Sequence, residues 1–200
     1  MKKIVMIAAL MLMSIGAFAQ NEVGQFTLKP TVGMNIATVT KQAGSKVRVG
    51  MMAGVEGEYG VAENFGLTAG LFYSMQGVKF TNKIDGVDLT ETDKVDFLNI
   101  PIMANYYVIP GLAVKAGVQP GFKVSGKRSI DAKEGSSKAN LTEDLEGIKA
   151  FQFAIPVGAS YEYKSFVLDA RYNIYLTKAA KEAEGRHSVF TISLGYKFAL

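Results

Sequence analysis

The chain has 200 residues, enough for one domain of ordinary size. It has no cysteine, which excludes disulfides, thiolate metal sites and a lipid-attachment thiol behind a leader. The net charge is +4, two units of it from Lys2 and Lys3 at the extreme N-terminus, so the sequence pI of about 9.1 does not mark a nucleic-acid binder, which needs a clustered basic face.

Lys2 and Lys3 precede an apolar run over residues 4–15, and Ala17-Phe18-Ala19 has the form of a cleavage site. This is the pattern of a secretory signal peptide over 1–19, which leaves 20–200 as one exported domain. No later stretch approaches the ~20 apolar residues of a spanning helix, so any membrane crossing falls to strands.

From Phe26 the chain alternates. Phe26, Leu28, Pro30, Val32, Met34 and Ile36 share one parity; Thr27, Lys29, Thr31, Gly33, Asn35 and Ala37 hold the other. Period two means a strand with one apolar face. Seven further runs follow, over 47–59, 65–75, 98–106, 112–124, 151–163, 166–174 and 190–198. The connections alternate as well. Residues 60–64, 108–111 and 164–165 are tight, whereas 41–46, 81–94, 126–149 and 177–187 are longer and polar. Eight strands with short turns on one rim and long loops on the other predict an all-β, eight-stranded antiparallel up-and-down transmembrane β-barrel, with both chain ends in the periplasm. Asp85-Gly86 is a two-residue hairpin signal in the second long loop, so strands three and four are expected to project beyond the membrane. Asn140-Leu141-Thr142-Glu143 in the third reads as a helix cap followed by an acidic turn. Pro30, Pro101, Pro120 and Pro156 all fall within strands, and a closed barrel has no edge for them; each predicts a bulge or a lost ladder bond.

Alternation fits both a soluble, lipocalin-like barrel with its apolar face inside and a membrane barrel with that face outside. Three features select the second. Aromatics gather at the short-turn ends of the apolar faces, at Phe26, Tyr59, Phe65, Tyr106, Tyr161, Tyr163, Phe166, Tyr196 and Phe198, as in a girdle at the periplasmic interface. Phe122, Phe151 and Phe190 suggest a sparser girdle opposite. The other face is crowded with Gly, Ala, Ser and Thr, which suit the inside of a narrow barrel. Its charges also balance. Lys29, Lys115, Arg171 and Lys197 stand against Glu56, Glu58, Glu162 and Asp169, and an unpaired buried charge costs several kcal/mol. Most of these charges are expected to be answered on a neighbouring strand, Asp169 and Arg171 by Glu162 and Lys197.

The sequence also resembles a family. Leu98-Asn99-Ile100-Pro101, continuing to Tyr106, is similar to its "L-x-I-P-x-x-x-x-Y" strand, and the run from Leu168 through Arg171-Tyr172 to Leu176-Thr177 to its "L-x-x-R-Y-x-x-G-L-T" strand. Gly33-Met34-Asn35 and Phe72-Tyr73-Ser74-Met75-Gln76-Gly77 fit the first and third strands. The family is the outer-membrane protein beta-barrel domain group that includes the PorT-like proteins, broadly similar to OmpX and the OmpA barrel. The resemblance spans the mature chain and implies fold and location, with no catalytic residues and no agreed ligand. Two positions depart from it: Tyr175 stands where the family often has Gly, and Ala199-Leu200 follow the final aromatic.

Other chemistry is thinly supported. His187 beside Ser188 lies at the loop end of the last strand, where adjacent residues face opposite ways, so the pair is expected to be a solvated rim feature and not a catalytic couple. Asp85, Asp88, Glu91 and Asp93 match no calcium-loop spacing and read as a solvated acidic loop. Arg48 and Lys123 on the long-loop half of the lumen are expected to pair with loop carboxylates. The expectation is a monomeric porin-family barrel of a Gram-negative outer membrane, with no enzyme activity, cofactor, metal or nucleic-acid partner. Its lumen is plugged by paired charges, and its role is structural or interactive through surface loops with an unknown partner. Outer-membrane lipid surrounds it, and barrel-insertion machinery and periplasmic chaperones serve its biogenesis. The alternatives are a narrow porin-like channel or, from the resemblance, an accessory component of a secretion or gliding apparatus.

Overall fold

The computed structural model describes residues 23–40, 44–84, 87–134, 137–145, 147–179 and 185–200. The leader expected over 1–19 and the Asp85-Gly86 turn lie outside them. Among the described residues twelve strands form: β1 Phe26–Val39, β2 Ser45–Lys46, β3 Arg48–Ala62, β4 Phe65–Ile84, β5 Val87–Asn99, β6 Ile102–Ile109, β7 Leu112–Glu134, β8 Ser137–Asp144, β9 Phe151–Tyr163, β10 Phe166–Lys178, β11 Arg186–Tyr196 and β12 Phe198–Ala199. They build eight staves, because β2/β3, β5/β6, β8/β9 and β11/β12 are each one stave with a break. All neighbours are antiparallel, and β11 pairs with β1 from Val39↔His187 to Thr31↔Gly195, which closes the ring.

Two of these breaks, β5/β6 and β11/β12, follow from prolines. Pro30 cannot donate to the ladder, and the pairing of β1 with β11 and β12 lapses opposite it, between Thr31↔Gly195 and Leu28↔Phe198. That lapse separates β11 from β12. Pro101 and Pro120 share one gap between β5/β6 and β7, where the Pro120 carbonyl still accepts from Ile100 N at 2.9 Å. Pro156 faces the gap in β7–β9 pairing between Ala116 and Gln119. Ladder bonds are lost at these sites while the register runs on unchanged across each.

The short turns are two-residue hairpins. Pro110-Gly111 connects Ile109 to Leu112 with Gly111 at φ +83°, as a type II turn requires. On the opposite rim the strands outrun the barrel. β4 and β5 stay paired to Ile84↔Val87, β5 and β7 to Asp88↔Lys133, and β7 and β8 to Glu134↔Ser137. A four-stranded sheet, β4-β5-β7-β8, therefore continues past the rim. The helix cap expected at Asn140-Leu141-Thr142-Glu143 is instead part of β8. No helical period follows that cap, and pairing Leu141 with Ile130 and Thr142 with Ser129 gives the segment its backbone partners.

Gly77 sits where β2/β3 slips by one residue against β4. Its φ is +137°, and a Cβ there would run into the Asp93 carbonyl oxygen. The carbonyls left over by the slip are taken by side chains: Asn35 Nδ2 donates to Met75 O at 3.1 Å, and the Arg48 guanidinium donates to Gln76 O. Gly77→Val is expected to cost about 1–3 kcal/mol from backbone strain alone, read by urea unfolding of the vesicle-inserted protein; an unchanged midpoint would contradict it.

The apolar parity faces out. On β10, Phe166, Leu168, Tyr172, Ile174 and Leu176 are exposed while Val167, Asp169, Arg171, Asn173 and Tyr175 are buried. The apolar-inside alternative is thereby removed, since a water-soluble barrel would invert this pattern.

Candidate functional site in the barrel lumen

The inward side chains form layers along the barrel. Nearest the short-turn rim, Lys197 Nζ donates to Glu162 Oε2 at 2.7 Å and lies 3.4 Å from Glu58 Oε2. Glu58 also accepts from Asn105 Nδ2 at 3.0 Å and from the Tyr107 hydroxyl at 2.7 Å. The next layer centres on Glu56, which accepts from Lys29 Nζ at 2.7 Å, Lys115 Nζ at 3.3 Å and Arg171 Nη2 at 2.7 Å. Asp169 completes it, accepting from Lys115 Nζ at 2.8 Å and from Arg171 Nε at 2.5 Å. The Arg171 guanidinium also stands 5.8 Å from the centre of the Phe72 ring. Glycine makes that ring possible: a Cβ at Gly54 or Gly70 would lie 2.6 Å from its carbons.

All eight charged residues expected in the lumen are buried, and every one has an ionic partner. Their partners differ from the expectation. Only Lys29–Glu56 joins neighbouring staves. Arg171 reaches Glu56 on the far wall, Asp169 reaches Lys115 past β9, and Glu162 and Lys197 answer each other across β10. The lumen is narrow enough that long side chains meet across it more easily than along its curved wall.

Above the charges lies a layer that counting charges missed. Asn35, Ser74, Gln76, Asn99, Gln119, Gln152, Asn173 and Thr191 are all buried. Asn35 Nδ2 donates to Ser74 Oγ at 2.9 Å, Thr191 Oγ1 donates to Asn35 Oδ1 at 2.8 Å, and Gln76 Nε2 donates to the Tyr175 hydroxyl at 3.0 Å. A small cavity of ≈ 20 Å³ opens between this layer and Arg171. The signal was present: every amide sits on the inward parity of its strand.

The fourth layer is apolar and holds Phe97, Tyr175, Val189 and Ala37 with His187. His187 is buried, with its ring edge-on to Phe97 at 6.0 Å and to Tyr175 at 5.8 Å. It is not the solvated rim residue expected, because its parity turns it into the lumen. Ser188 faces outward, as expected, and shares a hydrogen bond with the Tyr172 hydroxyl at 2.8 Å. Arg48 binds a backbone carbonyl and, among the described residues, no loop carboxylate. In the projecting sheet, Arg128 Nε lies 2.7 Å from Asp93 and 2.8 Å from Glu91, so these two acids are paired.

The nine aromatics expected at the short-turn rim stand on outward positions there. Phe26 faces Tyr59, Phe65 faces Tyr106, and Phe166 lies between Tyr163 and Tyr196. Phe198 stacks on Tyr196 at 4.7 Å, and Tyr161 lies one outward position in from Tyr163. At the other rim Phe122 contacts Phe151 at 5.5 Å.

Residues 18–181 match the family described as "Outer membrane protein beta-barrel domain". No curated protein matches the sequence. Among solved structures, Ail, the attachment invasion locus protein of Yersinia pestis, is 13% identical; the alignment covers 88% of this chain and 100% of Ail, with a TM-score of 0.50. Ail in complex with the heparin analogue sucrose octasulfate is similar at 12% identity, with the same coverages and a TM-score of 0.50. Neisserial surface protein A is 13% identical over 86% of this chain and 97% of that one, with a TM-score of 0.49. The likeness to Ail shows the fold.

Proposed function

The chain belongs to the outer membrane protein beta-barrel domain family and resides in the bacterial outer membrane; from that premise we propose that it is a closed, non-conducting monomeric barrel that presents its projecting sheet to a partner outside the cell. A leader over residues 1–19 directs its export, chaperones and insertion machinery deliver it, and its aromatic rim seats it at the periplasmic interface.

The observation that carries this reading is the layer centred on Glu56. Three cations and two carboxylates meet across the lumen, their side chains 7% exposed or less. Water and ions passing through would have to separate them, and an eight-stranded barrel has room for little beyond its own side chains. The apolar layer above adds a second obstruction. What remains for function is the sheet beyond the rim. Among the described residues β8 pairs only with β7, so the edge over Ser137–Asp144 is free to take a further strand.

Purified protein in a planar bilayer is expected to give no stable conductance steps, whereas reproducible steps of one size would replace this reading with a narrow channel.

A further inference from the structure

The outer face of the projecting sheet carries a row of four lysines. Lys46 stands directly opposite Lys79, and Lys94 directly opposite Lys127. Lys79 faces Thr92, two residues from Lys94, so the two pairs are diagonal neighbours and the row runs across β2, β4, β5 and β7. All four are exposed. Two like charges directly opposite on an antiparallel ladder destabilise it, and here the arrangement occurs twice side by side.

Nearby acids do not resolve it. Asp144 lies opposite Lys127, Asp131 is on the same face farther out, and Asp96 accepts from the Tyr73 hydroxyl at 2.7 Å. Among the described residues none of the four lysines forms an ion pair. The row also has a definite height. Just below it, exposed on the outer wall, are Val47 beside Lys46 and, on β7, Phe122 and Val124, the apolar residues that precede the row on these two staves. The ammonium groups therefore lie where the hydrocarbon band ends and the head groups of the outer leaflet begin.

We propose that this row is a binding site for the phosphate groups of anionic outer-leaflet lipid. A phosphate placed over each opposed pair accepts from both ammonium groups and removes the repulsion between them. The lipid's acyl chains then run down the apolar wall formed by Val47, Phe122 and Val124. The site depends on the outer-membrane placement and not on a closed lumen, so a conducting barrel would leave it intact.

The test uses the full-length protein in nanodiscs of zwitterionic phospholipid, with bound lipid counted by native mass spectrometry. The wild type is expected to bind bis-phosphorylated lipid A and to bind dephosphorylated lipid A weakly. The variant Lys46→Gln/Lys79→Gln/Lys94→Gln/Lys127→Gln is expected to bind the phosphorylated form more weakly, by about fivefold for each lysine removed. Lys164→Gln, on the periplasmic turn, is expected to bind as the wild type does. Heat-modifiable migration checks the fold, and if the quadruple variant does not fold, Lys46→Gln/Lys79→Gln and Lys94→Gln/Lys127→Gln carry the same comparison. Equal binding by variant and wild type overturns the proposal, as does equal binding of the two lipids or an equal loss in Lys164→Gln. Displacement of the lipid by inorganic phosphate at a matching concentration would make this a soluble-anion site and overturn the lipid assignment.

Discussion

Glu56→Ala is expected to lower the unfolding free energy of the membrane-inserted barrel by about 3–5 kcal/mol, the cost of stripping one partner from a buried ion cluster. Glu56 is 1% exposed and is bound by Lys29, Lys115 and Arg171 at once. Without it Lys115 and Arg171 still share Asp169, but Lys29 loses its only ionic partner among the described residues. Three buried cations are then left with one carboxylate. Glu56→Gln keeps the shape and loses the charge, so it is expected to cost nearly as much. Glu56→Gln/Lys29→Met removes one charge of each sign and is expected to recover part of the loss. Urea titration in vesicles reads all three. Because the cluster is shielded from solvent, the loss should persist in 1 M salt. A loss below about 1 kcal/mol would place these charges in the class of solvated surface pairs and end the argument for a filled lumen.

The second large effect is expected at Tyr175. Its ring is 2% exposed, fills the lumen beside His187, and presents its hydroxyl to Gln76 at 3.0 Å and Gln119 at 3.5 Å. Tyr175→Gly restores the residue found at this position in the strand motif the sequence resembles. It is expected to cost about 3–5 kcal/mol, as deletion of a buried aromatic does. Tyr175→Phe keeps the ring and withdraws the acceptor, leaving two buried amide groups short of a partner, for about 1–3 kcal/mol. The gap between the two variants measures how much of the stabilisation is filling. Equal losses would mean that the ring fills nothing and only the hydroxyl matters.

How far the sequence reaches can be judged at these same residues. Alternation at Phe166, Leu168 and Ala170 against Asp169 and Arg171 sorts the residues onto two faces, because parity is a local property; which face is inside is told only by the aromatic rim, the small residues and the balanced charges. The partners of Asp169 and Arg171 were not legible in the same way. Which charge meets which depends on the diameter of the closed ring, and no stretch of sequence reports that. Tyr175 showed as a departure from a motif, but its role needed the facing walls that supply Gln76, Gln119 and His187. At 140–143 a helix-cap pattern with no helical period behind it gives way to pairing with β7, which offers a ready edge. His187 lies beside a loop, yet its inward parity on β11, and not that neighbourhood, decides that its ring is buried.

The layer centred on Glu56 also bears on the order of folding events. Glu56 and Arg171 are 115 positions apart in the chain, and Lys29 and Lys197 lie on the first and last staves. Lys115 can meet Asp169 only once the sheet curls far enough to bring β7 opposite β10. A partly assembled sheet can therefore pair Lys29 with Glu56 and Arg171 with Asp169 but leaves Lys115, Glu162 and Lys197 without their partners, and contacts this distant in sequence form slowly. Ring closure and charge neutralisation become one late step. Loss of Glu56 should then speed the opening of the barrel far more than it slows its assembly, which makes the cluster a latch set after insertion and not a nucleus that guides it.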